Sequence, residues 1–317
     1  MKILITGTAG FIGFKFSEFL LKKKFTVFGI DNFNDYYDVK LKKNRILQLK
    51  KYKKFSFIKL DLEEKKKLES IFKINKFDYI FHFAAQAGVR YAIISPRDYI
   101  KSNINGFFNI LDLSKKFKIK RLFTASSSSV YGDIKKFPFK ENFNLKPKNI
   151  YSLSKKFNED LSESYSNFYK VNVTALRFFT VYGEWGRPDM FIMKFMKAAL
   201  EKNFFYLNNF GDHFRDFTYI DDVTLILYKL FNKKNSEHYE VYNVCGNKPT
   251  NILVVVNKLK RLLGNVKIKK IGINKADVYG THGSNKKLLK KIGKFKFTSL
   301  DEGLNKCVNW YKSYYKR

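Results

Sequence analysis

Cysteine is almost missing from these 317 residues: only Cys245 and Cys307 occur, which excludes a disulfide framework and a cysteine-based metal site. Histidine is equally sparse. His82, His213, His238 and His282 lie scattered along the chain, so no metal centre is expected. No apolar run approaches the ~20 residues that a membrane-spanning helix needs. A signal peptide is not expected either, because Lys2-Ile3-Leu4-Ile5-Thr6 already reads as a core strand. These absences point to the cytoplasm and to no membrane partner.

Acidic residues are also few. Asp and Glu number 28 against 62 Lys and Arg, a formal net charge of +34. One reading is attraction to nucleic acid, since clustered lysines release counterions from phosphates. The other is compositional drift: Lys, Phe, Asn, Ile and Tyr are all abundant, and the lysines spread over every predicted helix. No recognised nucleic-acid module accompanies the charge, so drift is the better reading and no nucleic-acid partner is expected. A positive field would still help to capture a small anionic substrate.

What is present is enough apolar material, 45% of residues, for a sizeable core. Apolar runs alternate with helix-length segments, the pattern of a parallel sheet covered on both faces. Strands are predicted at Lys2–Thr6, Thr26–Asp31, Phe55–Asp61, Asp78–Phe83, Arg121–Ser126 and Val173–Phe178. Helices are predicted at Phe11–Lys24, Glu64–Ile74, Arg97–Phe117 and Tyr151–Tyr169, with an amphipathic closing helix at Ser299–Tyr315. The expected class is therefore α/β, a doubly wound parallel sheet. After Thr180 the rhythm turns irregular. This sets a dinucleotide-binding domain at 1–180 and a smaller substrate lobe at 181–317, some of whose segments return to the sheet.

Gly7-Thr8-Ala9-Gly10-Phe11-Ile12-Gly13 follows the first strand and opens the first helix. Gly7 permits the tight turn, Gly10 lets backbone approach a pyrophosphate, and Gly13 lets helix and sheet pack closely. The helix N-terminus, with Phe11 and Ile12, faces the negative charge. Context strengthens this Rossmann pattern, because the second strand ends at Asp31, 18 residues after Gly13. A carboxylate there accepts hydrogen bonds from the adenosine ribose and repels a 2′-phosphate, which favours NAD over NADP. Asn32 and Asn34 follow it. Asp61-Leu62 ends the third strand at the same edge, and Ala84-Ala85-Gln86 ends the fourth with small residues against which a dinucleotide can lie.

Tyr151 and Lys155 stand four apart at the start of a predicted helix, so both project from one face. A free tyrosine has a pKa of about 10, and bringing it to about 7 needs roughly 4 kcal/mol. A neighbouring ammonium and a positive nicotinamide can supply much of that. Such a pair alone is common on surface helices. Behind this glycine pattern, and just after Ser126-Ser127-Ser128-Ser129, it reads as catalysis, with a serine hydroxyl bonding the reacting oxygen as its proton moves.

The glycine pattern, the serine run before Val130-Tyr131-Gly132 and the Tyr151/Lys155 pair resemble the extended short-chain dehydrogenase/reductase superfamily. Within it the chain looks like the NAD-dependent nucleotide-sugar epimerases, most of all the UDP-glucuronate 4-epimerases. Asp31-Asn32-Phe33-Asn34-Asp35-Tyr36-Tyr37, Ala84-Ala85-Gln86-Ala87-Gly88-Val89-Arg90, Arg177-Phe178-Phe179-Thr180-Val181-Tyr182-Gly183, Trp185-Gly186-Arg187-Pro188-Asp189-Met190 and Arg215-Asp216-Phe217-Thr218-Tyr219-Ile220-Asp221-Asp222 carry the likeness. The resemblance implies Ser127 as the partner of the catalytic Tyr151, with Asn103, Ser126 and Phe178 near the cofactor. It implies Arg215 on the UDP diphosphate, Asp277 on the uridine ribose, and Thr180 and Arg187 on the sugar's C6 carboxylate, with an Arg187 that merely pairs with Asp189 as the alternative. Ser128 and Arg90 are further substrate contacts, and Thr281 lies near the C2 substituent. The family is commonly a homodimer.

Two departures bear on the subgroup. Glu184 stands where proline usually precedes Trp-Gly-Arg-Pro-Asp-Met, which sets a negative charge near Arg187. Ser128-Ser129 occupies the places where dehydrating or decarboxylating relatives carry a carboxylate, so plain 4-epimerisation of a UDP-sugar fits best. UDP-glucuronate leads. UDP-glucose or UDP-N-acetylglucosamine stays open as substrate, and a non-catalytic NAD-sensing regulator is the rival from another class.

Overall fold

Strands β1 (Lys2–Thr6), β2 (Thr26–Asp31), β3 (Phe55–Lys59), β4 (Tyr79–His82), β5 (Arg121–Ser127) and β6 (Val173–Phe178) form one parallel sheet. The structure is a computed structural model that describes residues 1–272 and 278–315. Beyond β6 come β7 (Thr180–Tyr182), β8 (Phe205–Leu207), β9 (Phe214–Tyr219), β10 (Tyr239–Val244), β11 (Pro249–Asn251) and β12 (Ile268–Lys270). β10 pairs parallel with β6, giving the seven-stranded order β10-β6-β5-β4-β1-β2-β3. The order reverses between β1 and β4, and a crevice opens at their carboxyl ends.

Twelve helices accompany the strands among the described residues: α1 (Phe11–Lys22), α2 (Val39–Lys50), α3 (Lys65–Asn75), α4 (Tyr91–Ile94), α5 (Pro96–Tyr99), α6 (Gly106–Lys116), α7 (Ile150–Tyr169), α8 (Phe191–Leu200), α9 (Ile220–Phe231), α10 (Ile252–Leu263), α11 (Lys286–Ile292) and α12 (Leu300–Tyr315). They cover both sheet faces, and β1 shows why. Its three central side chains are apolar and fully buried, Ile3 and Ile5 packing with Phe14 and Leu20 of α1 and Ile226 of α9. Leu4 points the other way, among Leu68 of α3 and Phe107 and Ile110 of α6. Each such side chain stabilises the fold by about 1.5–3 kcal/mol, and a strand buried on both faces must be apolar throughout.

The segment expected as one helix, 97–117, is three pieces: α5, a π-helical turn at Ile100–Asn105, and α6. α2 was not expected, because lysines dilute its apolar stripe of Leu41, Ile46 and Leu49. Asp38 caps it by accepting from the Lys40 and Leu41 amides. Outside the main sheet, β9 lies between β7 and β11, and β12 pairs with β8. These small sheets stand over the crevice. Among the described residues no helix is long and apolar enough to cross a membrane, and no His/Cys/Asp/Glu group could hold a metal ion.

Candidate active site

A cleft of about 960 Å³ runs along the carboxyl ends of the strands. Its floor at one end is the turn from β1 into α1. Gly7 has φ 70°, and a Cβ there would stand 2.5 Å from the Ala84 nitrogen. A Cβ on Gly13 would stand 2.1 Å from the Gly7 carbonyl oxygen, so helix and turn touch only because neither carries a side chain. The N-terminus of α1 begins at Gly10 with no side-chain cap and no acidic residue in its first turn. Its amides are thus left for an anion.

Asp31 ends β2 in the same wall, accepting from the Ala9 amide at 3.0 Å and the Phe33 amide at 2.9 Å. Burial pushes its carboxyl above the usual carboxylate value, while those amides and the Lys42 charge pull against the rise. Asn32 donates to Asp61 at 2.9 Å and Asn34 to Gln86 at 3.1 Å, joining the ends of β2, β3 and β4. Phe11, Ile12, Leu62, Ala84, Ala85 and Phe178 line the same cleft. Asn103 does not. It is 1% exposed and stands behind the wall, accepting from the Gln86 amide at 2.7 Å and donating to the Gln86 carbonyl and Ser154 Oγ, each at 3.0 Å. Expected beside the cofactor, it instead fixes the backbone that faces it, and the π-helical turn supplies its position.

Across the cleft, Asn149 and Ser152 cap α7 reciprocally and fix where the helix starts. Tyr151 and Lys155 then face the cleft from its first two turns. The Tyr151 hydroxyl stands beside Ser127, whose own Oγ accepts from Ser129 Oγ at 2.9 Å. Burial raises the Tyr151 phenol above its ordinary value, while the Ser127 hydroxyl and the Arg187 charge draw it down. Lys155 directs Nζ to the Ala125 carbonyl at 2.8 Å rather than to Tyr151. Burial lowers its pKa to about 8, against the supporting charge of Glu159. The chain alone therefore leaves the tyrosine protonated, and the expected drop to about 7 falls to the ligands. Glu159, one turn further, takes the Ser126 hydroxyl and both sides of the Arg177 guanidinium, at 3.0 and 2.7 Å.

Thr180, Ser128, Arg90, Arg187 and Arg215 line the remainder of the cleft. Arg187 is engaged: Nε and Nη2 donate to the two Asp189 oxygens at 3.0 and 2.5 Å, and Tyr36 adds its hydroxyl to Asp189 at 3.1 Å. Burial alone would push the Asp189 carboxyl up, but Arg187 and Tyr36 reverse this and hold it below the usual value. Arg215 donates to the carbonyls of Phe214, Val278 and Tyr279. Asp277 lies outside the described residues. Glu184, the departure from the subgroup's proline, does not line the cleft: its carboxylate accepts from the Tyr219 hydroxyl at 2.5 Å.

Residues 3–245 match the model of the NAD dependent epimerase/dehydratase family. Protein CapI of Staphylococcus aureus is 40% identical, with both chains covered completely. A UDP-glucuronate 4-epimerase of Thermodesulfobacterium geofontis is 39% identical over 98% of this chain and 95% of its own. Among solved structures, UDP-glucuronic acid 4-epimerase from Bacillus cereus, in complex with UDP-glucuronic acid and NAD, superposes with a TM-score of 0.94. It is 30% identical and covers 99% of this chain and 100% of that one. The chain belongs to the NAD dependent epimerase/dehydratase family.

The first wall fits the dinucleotide of this family: an uncapped helix N-terminus, glycines where no side chain can stand, and a carboxylate ending β2. Reading the sequence missed Lys42 and Arg45, while the pairing of Arg187 with Asp189 is the alternative it left open. Lys42 lines the cleft, and Arg45 is fully buried beside it. The available signal was Asp38 followed by Leu41, Arg45, Ile46 and Leu49 at helical spacing. It puts an arginine on an apolar face, a position arginine rarely holds unless hydrogen bonds offset its burial.

Proposed function

We propose that this chain inverts C4 of UDP-glucuronate to give UDP-galacturonate, by oxidation of the sugar to a 4-ketone and reduction from the opposite face. Tyr151 takes the 4-hydroxyl proton and returns it, and Ser127 bonds the same oxygen while the proton moves. The α1 N-terminus holds the pyrophosphate of NAD, Asp31 the adenosine ribose, and Asp61 and Leu62 border the adenine. NAD⁺, when bound, would supply a positive ring and an acceptor for the C4 hydrogen, with no net redox change over the cycle. Arg215 binds the diphosphate and Asp277 the uridine ribose, while Thr180, Ser128 and Arg187 hold the C6 carboxylate.

One observation carries the acidic sugar. Arg187 lines the same cleft as Tyr151 and Ser127, so a guanidinium attends the reacting end. Arg90, Lys148, Lys194, Lys197 and Arg215 add to it against Asp189 and Glu201, which suits a substrate bearing a diphosphate and a carboxylate. The Bacillus cereus relative crystallised with UDP-glucuronic acid supports the same reading. A neutral UDP-sugar has one observation in its favour, the Asp189 carboxylate already in the Arg187 fork.

The same reading makes the enzyme a cytoplasmic homodimer joined through α6 and α7, whose Phe108, Leu153 and Phe157 are exposed apolar side chains. The test of function is proton NMR of the purified protein with UDP-glucuronate and no added NAD. A galacturonate anomeric signal should grow, and denaturation should release about one NAD per chain. No conversion of the acid, or faster conversion of UDP-glucose, would overturn the proposal.

A further inference from the structure

Arg45 is 0% exposed, and oxygens of neutral groups meet its two outer nitrogens, while Nε has no partner among the described residues. Nη1 donates to the Ala9 carbonyl at 2.7 Å and the Tyr37 hydroxyl at 2.8 Å. Nη2 donates to the Trp185 carbonyl at 2.5 Å and the Gly186 carbonyl at 3.2 Å. Ala9 lies inside the glycine-rich turn, and Trp185 and Gly186 directly precede Arg187. One guanidinium therefore joins two cleft-lining segments about 175 residues apart in the chain.

Both segments are held firmly at that junction. The Ala9 peptide is pinned on both sides, its amide to Asp31 at 3.0 Å and its carbonyl to Arg45. Trp185 has φ 62°, a left-handed conformation that a bulky residue keeps only when its surroundings impose it. Its ring packs 5.2 Å from Phe14 of α1 and 5.0 Å from Tyr314 of α12. The planar fork is suited to this task. Its two outer nitrogens serve two carbonyl sets at once, whereas a lysine ammonium is a single point of donation.

We propose that Arg45 is a positioning residue that locks the glycine-rich turn to the Trp185–Asp189 segment, so that NAD retention and the setting of Arg187 depend on each other. The sugar half of this inference rests on the UDP-glucuronate reading above. Coupling through a shared element is reciprocal: a ligand that steadies one segment tightens binding at the other.

The experiment follows NAD loss from wild-type, Arg45→Lys and Arg45→Met holoenzymes, with and without UDP-glucuronate, alongside KM, kcat at saturating NAD and thermal stability. In wild type, UDP-glucuronate should slow NAD loss by about tenfold. In either variant NAD should leave faster, UDP-glucuronate should slow that loss less than about twofold, and KM should rise about tenfold while kcat changes less than about threefold. A variant that loses only thermal stability, with NAD retention, KM and the substrate effect intact, would overturn the proposal. If Arg45→Met does not fold, Arg45→Lys with Tyr37→Phe carries the same comparison. Wild type that fails to convert UDP-glucuronate would sink the assigned function alone, because faster NAD loss from Arg45→Lys still reports on the turn.

Discussion

The dinucleotide end of the cleft is made of backbone and short side chains, whereas the sugar end is made of long charged ones that hold each other. At the first end Gly7, Gly13 and the α1 amides need no rearrangement to receive a ligand, since their positions follow from close packing. At the second, Arg187 is already bonded to Asp189 and Arg215 to the Val278 and Tyr279 carbonyls. On the proposed function, a substrate carboxylate there would join or replace an existing partner. Shape governs the first end and charge the second, so substitutions at the two ends should fail in different ways.

The largest effect belongs between the two ends. Tyr151→Phe should lower kcat by about a thousandfold, within the range for loss of an acid–base group, while calorimetric UDP-glucuronate affinity stays within about threefold. A variant keeping a tenth of the activity would remove Tyr151 from the chemistry.

Next comes charge at the sugar end. Arg187→Ala should weaken UDP-glucuronate by roughly 2–5 kcal/mol, as expected for a buried charge pair, and leave UDP-glucose affinity nearly unchanged. A 4-ketone of an acidic sugar is a β-keto acid, so the remaining turnover should leak towards a decarboxylated pentose, visible by NMR. Equal losses for both sugars would make Arg187 a partner of Asp189 only.

Shape at the dinucleotide end is tested by Gly13→Val. Its Cβ would meet the Gly7 oxygen at 2.1 Å, and the turn must move. Destabilisation of about 1–3 kcal/mol should accompany loss of bound NAD, measured by thermal unfolding and by NAD released on denaturation. Normal NAD content would show that the turn tolerates the side chain.

The smallest effect is a pH limb. Burial holds the Lys155 ammonium at about 8 against an ordinary 10.5. Between these values the unfolded chain binds more protons, so this residue makes the fold more stable as pH rises through that window. Activity should run the other way, falling above about pH 8 as the ammonium beside the tyrosine loses its charge. A pH–rate profile checks this, and Lys155→Arg should push the limb upward, since guanidinium keeps its proton.

The same contrast explains what could be read before the fold was known. The glycine turn, Asp31 and the Tyr151/Lys155 pair are legible because backbone geometry dictates residue type at fixed spacing. The two faces of β1 are legible from its apolar run. α2 was hidden by lysines, and with it Arg45, three of whose four partners are carbonyls that leave no trace in a sequence. Asn103 reads as a ligand contact because an asparagine near the cofactor fits either role. Only its bonds to Gln86 and Ser154 separate holding the wall from forming it. Asp189, two residues on, is the occupant of the Arg187 fork that the spacing allowed, and only the side-chain rotamer decides it.

The most direct test of transient oxidation at C4 is conversion of UDP-glucuronate by the purified protein in D₂O without added NAD. The hydrogen removed from C4 should return to C4 with no exchange, giving UDP-galacturonate that carries protium there by NMR. Deuterium at C4 would mean that a solvent proton, not the transferred hydrogen, completes the inversion, and would contradict the mechanism.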